Sequence, residues 1–164
     1  MKKRYSLLLI IIAVGLIVNS CKKTGQNAIA TLFTGGTWKL ASVETKTYIG
    51  NQQTSDTTIN DTCSQFFTFK IDNSCTYTNF NCVTQTTSGT WTLAKNQLYL
   101  YADIPLKTGV ADSTANPFNN SHIKTLGQYS MVLETGDIAP NYSLTQPRTI
   151  VVYGFVRQTL AGAQ

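Results

Sequence analysis

A chain of 164 residues, 42% hydrophobic and only 13% charged, has room for one domain built around one core. Its 13 basic and 8 acidic residues give a net charge of +5, but the excess sits at the amino terminus. Beyond Lys23 the basic and acidic residues are equal in number, a neutral balance that excludes the basic footprint of a nucleic-acid-binding domain.

Lys2, Lys3 and Arg4 precede an unbroken apolar run from Leu7 to Val18, which leads into Asn19-Ser20-Cys21. The run fits the core of a secretory signal and falls short of the ~20 residues that cross a bilayer. Small Ser20 just before Cys21 resembles a bacterial lipoprotein cleavage box, although Asn19 departs from its commonest form. That resemblance implies loss of residues 1–20 and acylation of Cys21; the alternative is an ordinary signal peptide with Cys21 a bystander. Several acyl chains on one residue would hold the protein durably at a membrane, since a single chain binds only marginally. Residues 21–30 then read as the lipidated cysteine and a flexible tether with Gly25, Gln26 and Asn27. One helical turn fits between Ala28 and Phe33, and residues 31–164 form the folded domain.

From Gly35 onward the hydrophobic pattern has a period of two and no helical stripe. Gly36-Thr37-Trp38-Lys39-Leu40 opens it, and Gly89-Thr90-Trp91-Thr92-Leu93 repeats it. Eight strands are expected, at about 37–47, 64–71, 75–82, 87–94, 97–102, 122–126, 129–134 and 149–158. Turns at Asp72-Asn73-Ser74, Lys95-Asn96 and Gly127-Gln128 are short enough for hairpins. In an up-and-down meander these three turns share one end. The connections 48–63, 83–86, 103–121 and 135–148 share the other, and three of them are long. A closed, eight-stranded antiparallel β-barrel with a tight base and a loop-rich mouth is the expected fold.

Trp38 and Arg157 both fall at the base if the last strand pairs with the first. The guanidinium can then cover the indole face, with a solvated edge arginine as the plainer alternative. The hairpin 64–82 also decides the cysteines. Cys82 lies level with Cys63, whereas Cys75 is about 23 Å from Cys82 along an extended strand, beyond the ~7 Å that a disulfide tolerates between Cα atoms. A Cys63–Cys82 disulfide is expected in an oxidising compartment, leaving Cys75 as a small buried residue or a free thiol.

These residues resemble the lipocalin and fatty-acid-binding superfamily, whose G-x-W signature is matched by Gly36-Thr37-Trp38 and whose covering basic residue is matched by Arg157. More closely, the chain resembles the lipocalin-like domain of Bacteroidetes lipoproteins. The matching features are the lipobox cysteine, the turn into Gly-Thr-Trp-Lys-Leu, and a cysteine before Phe67-Thr68-Phe69. A second cysteine before Ser-Gly-Thr-Trp and the Leu98-Tyr99-Leu100 strand complete the set. Cys75 and the length of 103–121 depart from it. The resemblance implies a barrel that binds a small molecule or lipid. In such lipoproteins acidic residues after the cysteine resemble a surface-export signal. Lys22-Lys23-Thr24 has none, so the expected location is the cell envelope, anchored in the outer membrane and facing the periplasm.

No catalytic set, phosphate-binding loop, metal site or cofactor site is readable. His122 is the one histidine and reads as a surface residue. Asp56 and Asp61 lack calcium-loop spacing, and Glu134 with Asp137 reads as a solvated turn. An enzyme is not expected. Phe67, Phe69, Tyr77, Trp91, Tyr99, Tyr101, Tyr153 and Phe155 lie on strands, where they either line a ligand cavity or fill the core. Two functions follow. One is a lipid-anchored barrel binding a small apolar or amphipathic ligand; the other is a filled barrel whose long loops contact a protein or glycan.

Overall fold

The computed structural model describes residues 28–158. The expected signal peptide, Cys21, the expected tether (21–30) as far as residue 27, and residues 159–164 lie outside the described residues. A helix, α1 (28–34), precedes β1 (Thr37–Ile49), β2 (Gln52–Asn60), β3 (Phe66–Phe69), β4 (Ser74–Thr78) and β5 (Thr86–Leu93). Then come β6 (Tyr99–Asp103), β7 (Leu106–Lys107), β8 (Thr114–Ala115), β9 (Ser121–Leu126), β10 (Ser130–Gly136) and β11 (Pro147–Gln158). Strands β1, β3, β4, β5, β6, β9, β10 and β11 close an antiparallel ring, with β11 paired back onto β1 from Thr37↔Gln158 to Ile49↔Pro147. An eight-stranded β-barrel is the fold, with one short helix before its first strand.

Side chains alternate across the wall as the pleat requires. Trp38 and Leu40 of β1, Phe67 and Phe69 of β3, and Cys75 and Tyr77 of β4 are buried. So are Trp91 of β5, Leu100 and Ala102 of β6, Met131 and Leu133 of β10, and Tyr153 and Phe155 of β11. A bulge at Ala41 shifts the register of β1, so that Leu40 opposite Phe155 and Val43 opposite Tyr153 share a face.

The base is closed by aromatic rings. Phe33 of α1 packs on Phe69 and Trp91, with ring centroids 5.1 and 5.6 Å away. The Trp38 indole N–H donates to the Phe33 carbonyl at 3.0 Å, and that of Trp91 to the Lys70 carbonyl at 2.9 Å. The Arg157 guanidinium lies 4.5 Å from the Trp38 ring centroid and donates to the carbonyls of Gly35 and Leu32. Gly36 sits beneath its aliphatic stem. Gly89 has a separate reason to be glycine: a Cβ there would overlap the Asp103 carbonyl on the neighbouring strand.

Three expectations need correction. Residues 48–63 do not form a loop. β1 runs on to Ile49, turns at Gly50 (φ 58°) and returns as β2, paired from Ile49↔Gln52 to Ser42↔Asn60. Every residue of β2 is exposed on both faces, so no apolar alternation marked it; its β-branched threonines and short turn are what favour the hairpin. Second, the strand expected over 75–82 ends at Thr78, and Asn79, Asn81 and Cys82 take left-handed conformations around a single 3-10 turn. Third, the long connection 103–121 is not plain loop: it carries the small β7–β8 hairpin and buries Ile104, Leu106 and Phe118.

Candidate ligand-binding site

The mouth is built where β2 parts from β3. Asp61 closes that break: its backbone N–H donates to Ala41, and its carboxylate accepts the Gln65 backbone N–H at 3.1 Å and the Gln65 side-chain amide at 3.0 Å. The Gln65 side-chain carbonyl in turn accepts the Asn81 N–H at 3.0 Å and the Tyr77 hydroxyl at 3.4 Å. Cys63 and Cys82 are joined across this network with Cα atoms 5.4 Å apart, and Cys75 is a buried free thiol. A buried amide used on both sides in this way fixes the rim by satisfied hydrogen bonds.

Beside the network opens a cleft of about 280 Å³. Leu40, Val43 and Ile59 supply its apolar wall, and Asp61, Gln65 and Asn81 its polar rim. Asp61 also lies near both disulfide sulfurs. Those sulfurs are bonded to each other, however, and offer no thiolate to a metal.

Below the cleft the barrel is filled. Phe118 enters from the mouth and is fully buried, with its ring 5.0 Å from Phe67, 4.9 Å from Tyr153 and stacked at 5.5 Å on Tyr77. Ala102 N–H donates to the Phe118 carbonyl at 2.8 Å, which fixes this plug to the wall. Of the eight aromatic residues named from sequence, Phe67, Phe69, Tyr77, Trp91, Tyr153 and Phe155 therefore meet one another or Phe118 as core. Tyr99 and Tyr101 do not belong with them. They point outward from β6, because Leu100 and Ala102 take the inner face. Tyr99 instead stands 5.2 Å from the His122 ring. Phe118 was not singled out from sequence; the signal was an isolated phenylalanine in an otherwise polar Asn116-Pro117-Phe118-Asn119-Asn120 run.

Among the described residues, burial raises the pKa of the buried thiol and phenols and so disfavours their reactive anions. It pushes the Cys75 thiol up to about 11 and the Tyr153 phenol to about 12, and it raises Tyr77 further still. Glu134, on the outer wall, is shifted in the opposite direction. Its partial burial works against ionisation, yet hydrogen bonds from Lys124 (2.9 Å) and His122 (3.3 Å) hold its pKa below the ordinary carboxylate value. Asp137 accepts the Thr149 N–H at 2.8 Å in a turn.

A family profile described as a lipocalin-like domain matches residues 35–133. The chain belongs to the lipocalin-like domain family. The matched span of this lipocalin-like protein runs from Gly35 beside the first tryptophan into β10. Strand β11 and Arg157 lie beyond it, and their place is fixed by the pairing of β11 with β1. No curated protein matches the chain.

Proposed function

We propose that this protein is a lipid-anchored component of the bacterial cell envelope that binds a small amphipathic molecule at the barrel mouth. The lipocalin-like fold is typically one of binding, and the supporting observation is the cleft itself. Its apolar wall of Leu40, Val43 and Ile59 and its rim of Asp61, Gln65 and Asn81 suit a ligand with one apolar and one polar end. At about 280 Å³ it is near the lower limit of small-molecule sites, roughly 300 Å³. Acylation at Cys21 and an outer-membrane position facing the periplasm complete the reading. They rest on the lipobox and on Lys22-Lys23-Thr24.

Native mass spectrometry of the full protein extracted from its own membranes tests both parts. The expected wild-type spectrum carries an acyl mass at Cys21 and a bound small molecule, and Ile59→Asp retains the first and loses the second. Ile59 is 66% exposed, so its replacement leaves the core intact. A wild-type protein with no bound mass, or an Ile59→Asp protein that keeps it, overturns the mouth site.

A second reading has its own observation. The β1–β2 hairpin projects beyond the ring, and the far edge of β2 pairs with no strand among the described residues. An open edge of nine exposed residues is a surface on which a protein or glycan partner can dock.

A further inference from the structure

The three base turns carry an unusual load. Ile71 at the tip of 70–73 is 90% exposed, Leu98 in 94–98 is 51% exposed and Tyr129 in 127–129 is 64% exposed. Tight turns are normally polar at their tips, and these three apolar side chains serve no core contact that would account for them. All three turns lie at one end of the ring. β3, β5 and β9 run down to that end, and β4, β6 and β10 rise from it. They are also tied to the strands beside them: Trp91 N–H donates to Asn73, Ile123 N–H to Leu98, and Arg157 N–H to Tyr129.

The acidic residues are segregated along the same axis, although Lys46, Lys107 and Arg148 offset part of them toward the mouth. Lys70 and Lys95 are exposed in the base turns, and Lys22 and Lys23 lie in the segment that joins Cys21 to α1. Of the eight acidic residues in the chain, Asp72 alone stands in a base turn, and its carboxylate is turned back onto the Ser74 N–H and hydroxyl. Asp56, Asp61, Asp103, Asp112 and Asp137 all lie toward the mouth. A groove of about 510 Å³ lies beside Lys70 and Ile71, over Phe69.

The chain also enters at this end. α1 lies across the base with Ile29, Ala30 and Phe33 turned into the core. Seven residue steps separate Cys21 from Ala28, a reach of at most about 25 Å. A barrel held that closely presents some face to the lipid, and the face at the root of the tether carries three apolar tips, with Lys70 beside Ile71 and Lys95 near Leu98.

We propose that the base of the barrel is a membrane-docking face, with Ile71, Leu98 and Tyr129 entering the interface of an anionic phospholipid bilayer and Lys70 and Lys95 meeting its headgroups. Apolar tips supply the insertion and lysines the attraction to anionic lipid, while tyrosine suits the boundary between them. The docked barrel stands with its mouth and β1–β2 hairpin away from the membrane. The tether part of this inference rests on the lipid-anchor reading; the apolar turns and the segregation of acidic residues stand without it.

Fluorescence quenching tests the orientation. The full chain, reconstituted with vesicles of phosphatidylethanolamine and phosphatidylglycerol carrying brominated acyl chains, is compared as Tyr129→Trp and Val110→Trp. Both replaced residues are exposed, Val110 lies at the mouth, and the native Trp38 and Trp91 are buried and common to both. The tryptophan at 129 is expected to be quenched more than about twofold over the one at 110, and Lys70→Glu with Lys95→Glu should reduce the difference. Quenching at 129 in a protein without an acyl mass keeps the docking face and removes the anchor. An acyl mass with equal quenching at the two positions keeps the anchor and overturns the docking face. Equal quenching without an acyl mass overturns both.

Discussion

The two ends of this barrel are held by different physics. At the base, Phe33, Trp38, Phe69 and Trp91 are almost wholly buried, and each indole N–H finds a backbone carbonyl. Stability there comes from apolar area and ring packing, which respond steeply to lost volume. At the mouth the order comes from the Asp61–Gln65–Tyr77 hydrogen bonds, a disulfide and the Phe118 plug. Above them the β1–β2 hairpin has solvent on both faces of β2. Its outer face is braced by Arg148, whose guanidinium lies 4.6 Å from the Tyr48 ring and 4.0 Å from the Tyr142 ring. The difference divides the chain into an end held by buried rings and an end held by polar contacts and a crosslink.

Trp38→Ala should have the largest effect. It removes a fully buried indole, its hydrogen bond to Phe33 and the surface on which Arg157 rests, at an expected cost of ~3–5 kcal/mol. Urea unfolding followed by circular dichroism measures it. A loss under about 1 kcal/mol would mean that the base is not the stable end.

The Cys63–Cys82 crosslink comes next. The two cysteines are 19 residues apart, and the loop-entropy model gives ~3 kcal/mol for a loop of that size. The Cys63→Ser, Cys82→Ser protein should lose about that much, while non-reducing peptide mapping of the wild type finds 63 joined to 82 and 75 free. Its loosening should concentrate at the mouth, with faster amide exchange around Gln65 and Asn81 than at Trp38. Equal acceleration at both ends would erase the distinction between them.

The base was legible in the sequence for a geometric reason. Three short turns and several long connections can alternate in only one way, and that places Trp38 and Arg157 at the same end before any contact is known. The disulfide followed from the same hairpin, and it forms with Cα atoms 5.4 Å apart even though Cys82 lies in an unexpected 3-10 turn. The mouth was not legible, because what orders it leaves no periodic trace. β2 has no buried face to write an alternation. Phe118 is one apolar residue among polar neighbours. The face of β6 was ambiguous because Tyr99 and Tyr101 are as apolar in pattern as Leu100 and Ala102, and the wall shared with Trp91 and Leu93 decides between them. Gln65 is a polar residue whose burial is visible only once Asp61, Tyr77 and Asn81 surround it.

The smallest effect is expected on the hairpin, from Thr58→Lys. Thr58 is exposed and stands opposite Glu44 on the outer face of the β1–β2 pair. Replacing threonine loses some strand propensity, while a lysine there gains an opposite-charge partner across the strand. These terms are each a few tenths of a kcal/mol to about 1 and oppose each other. Glu44 is already engaged by Lys46 at 3.0 Å, so the new pair competes for that carboxylate and adds little. The net change should stay within about 0.5 kcal/mol, a shift of about 2 °C or less in melting temperature for a domain of this size. Because β2 is an open edge, the added lysine should also weaken any association through it, since an edge lysine opposes the approach of another strand. Thermal unfolding and sedimentation of the same sample read both quantities. A loss above about 2 kcal/mol would show that the hairpin belongs to the cooperative core and not to the solvated end.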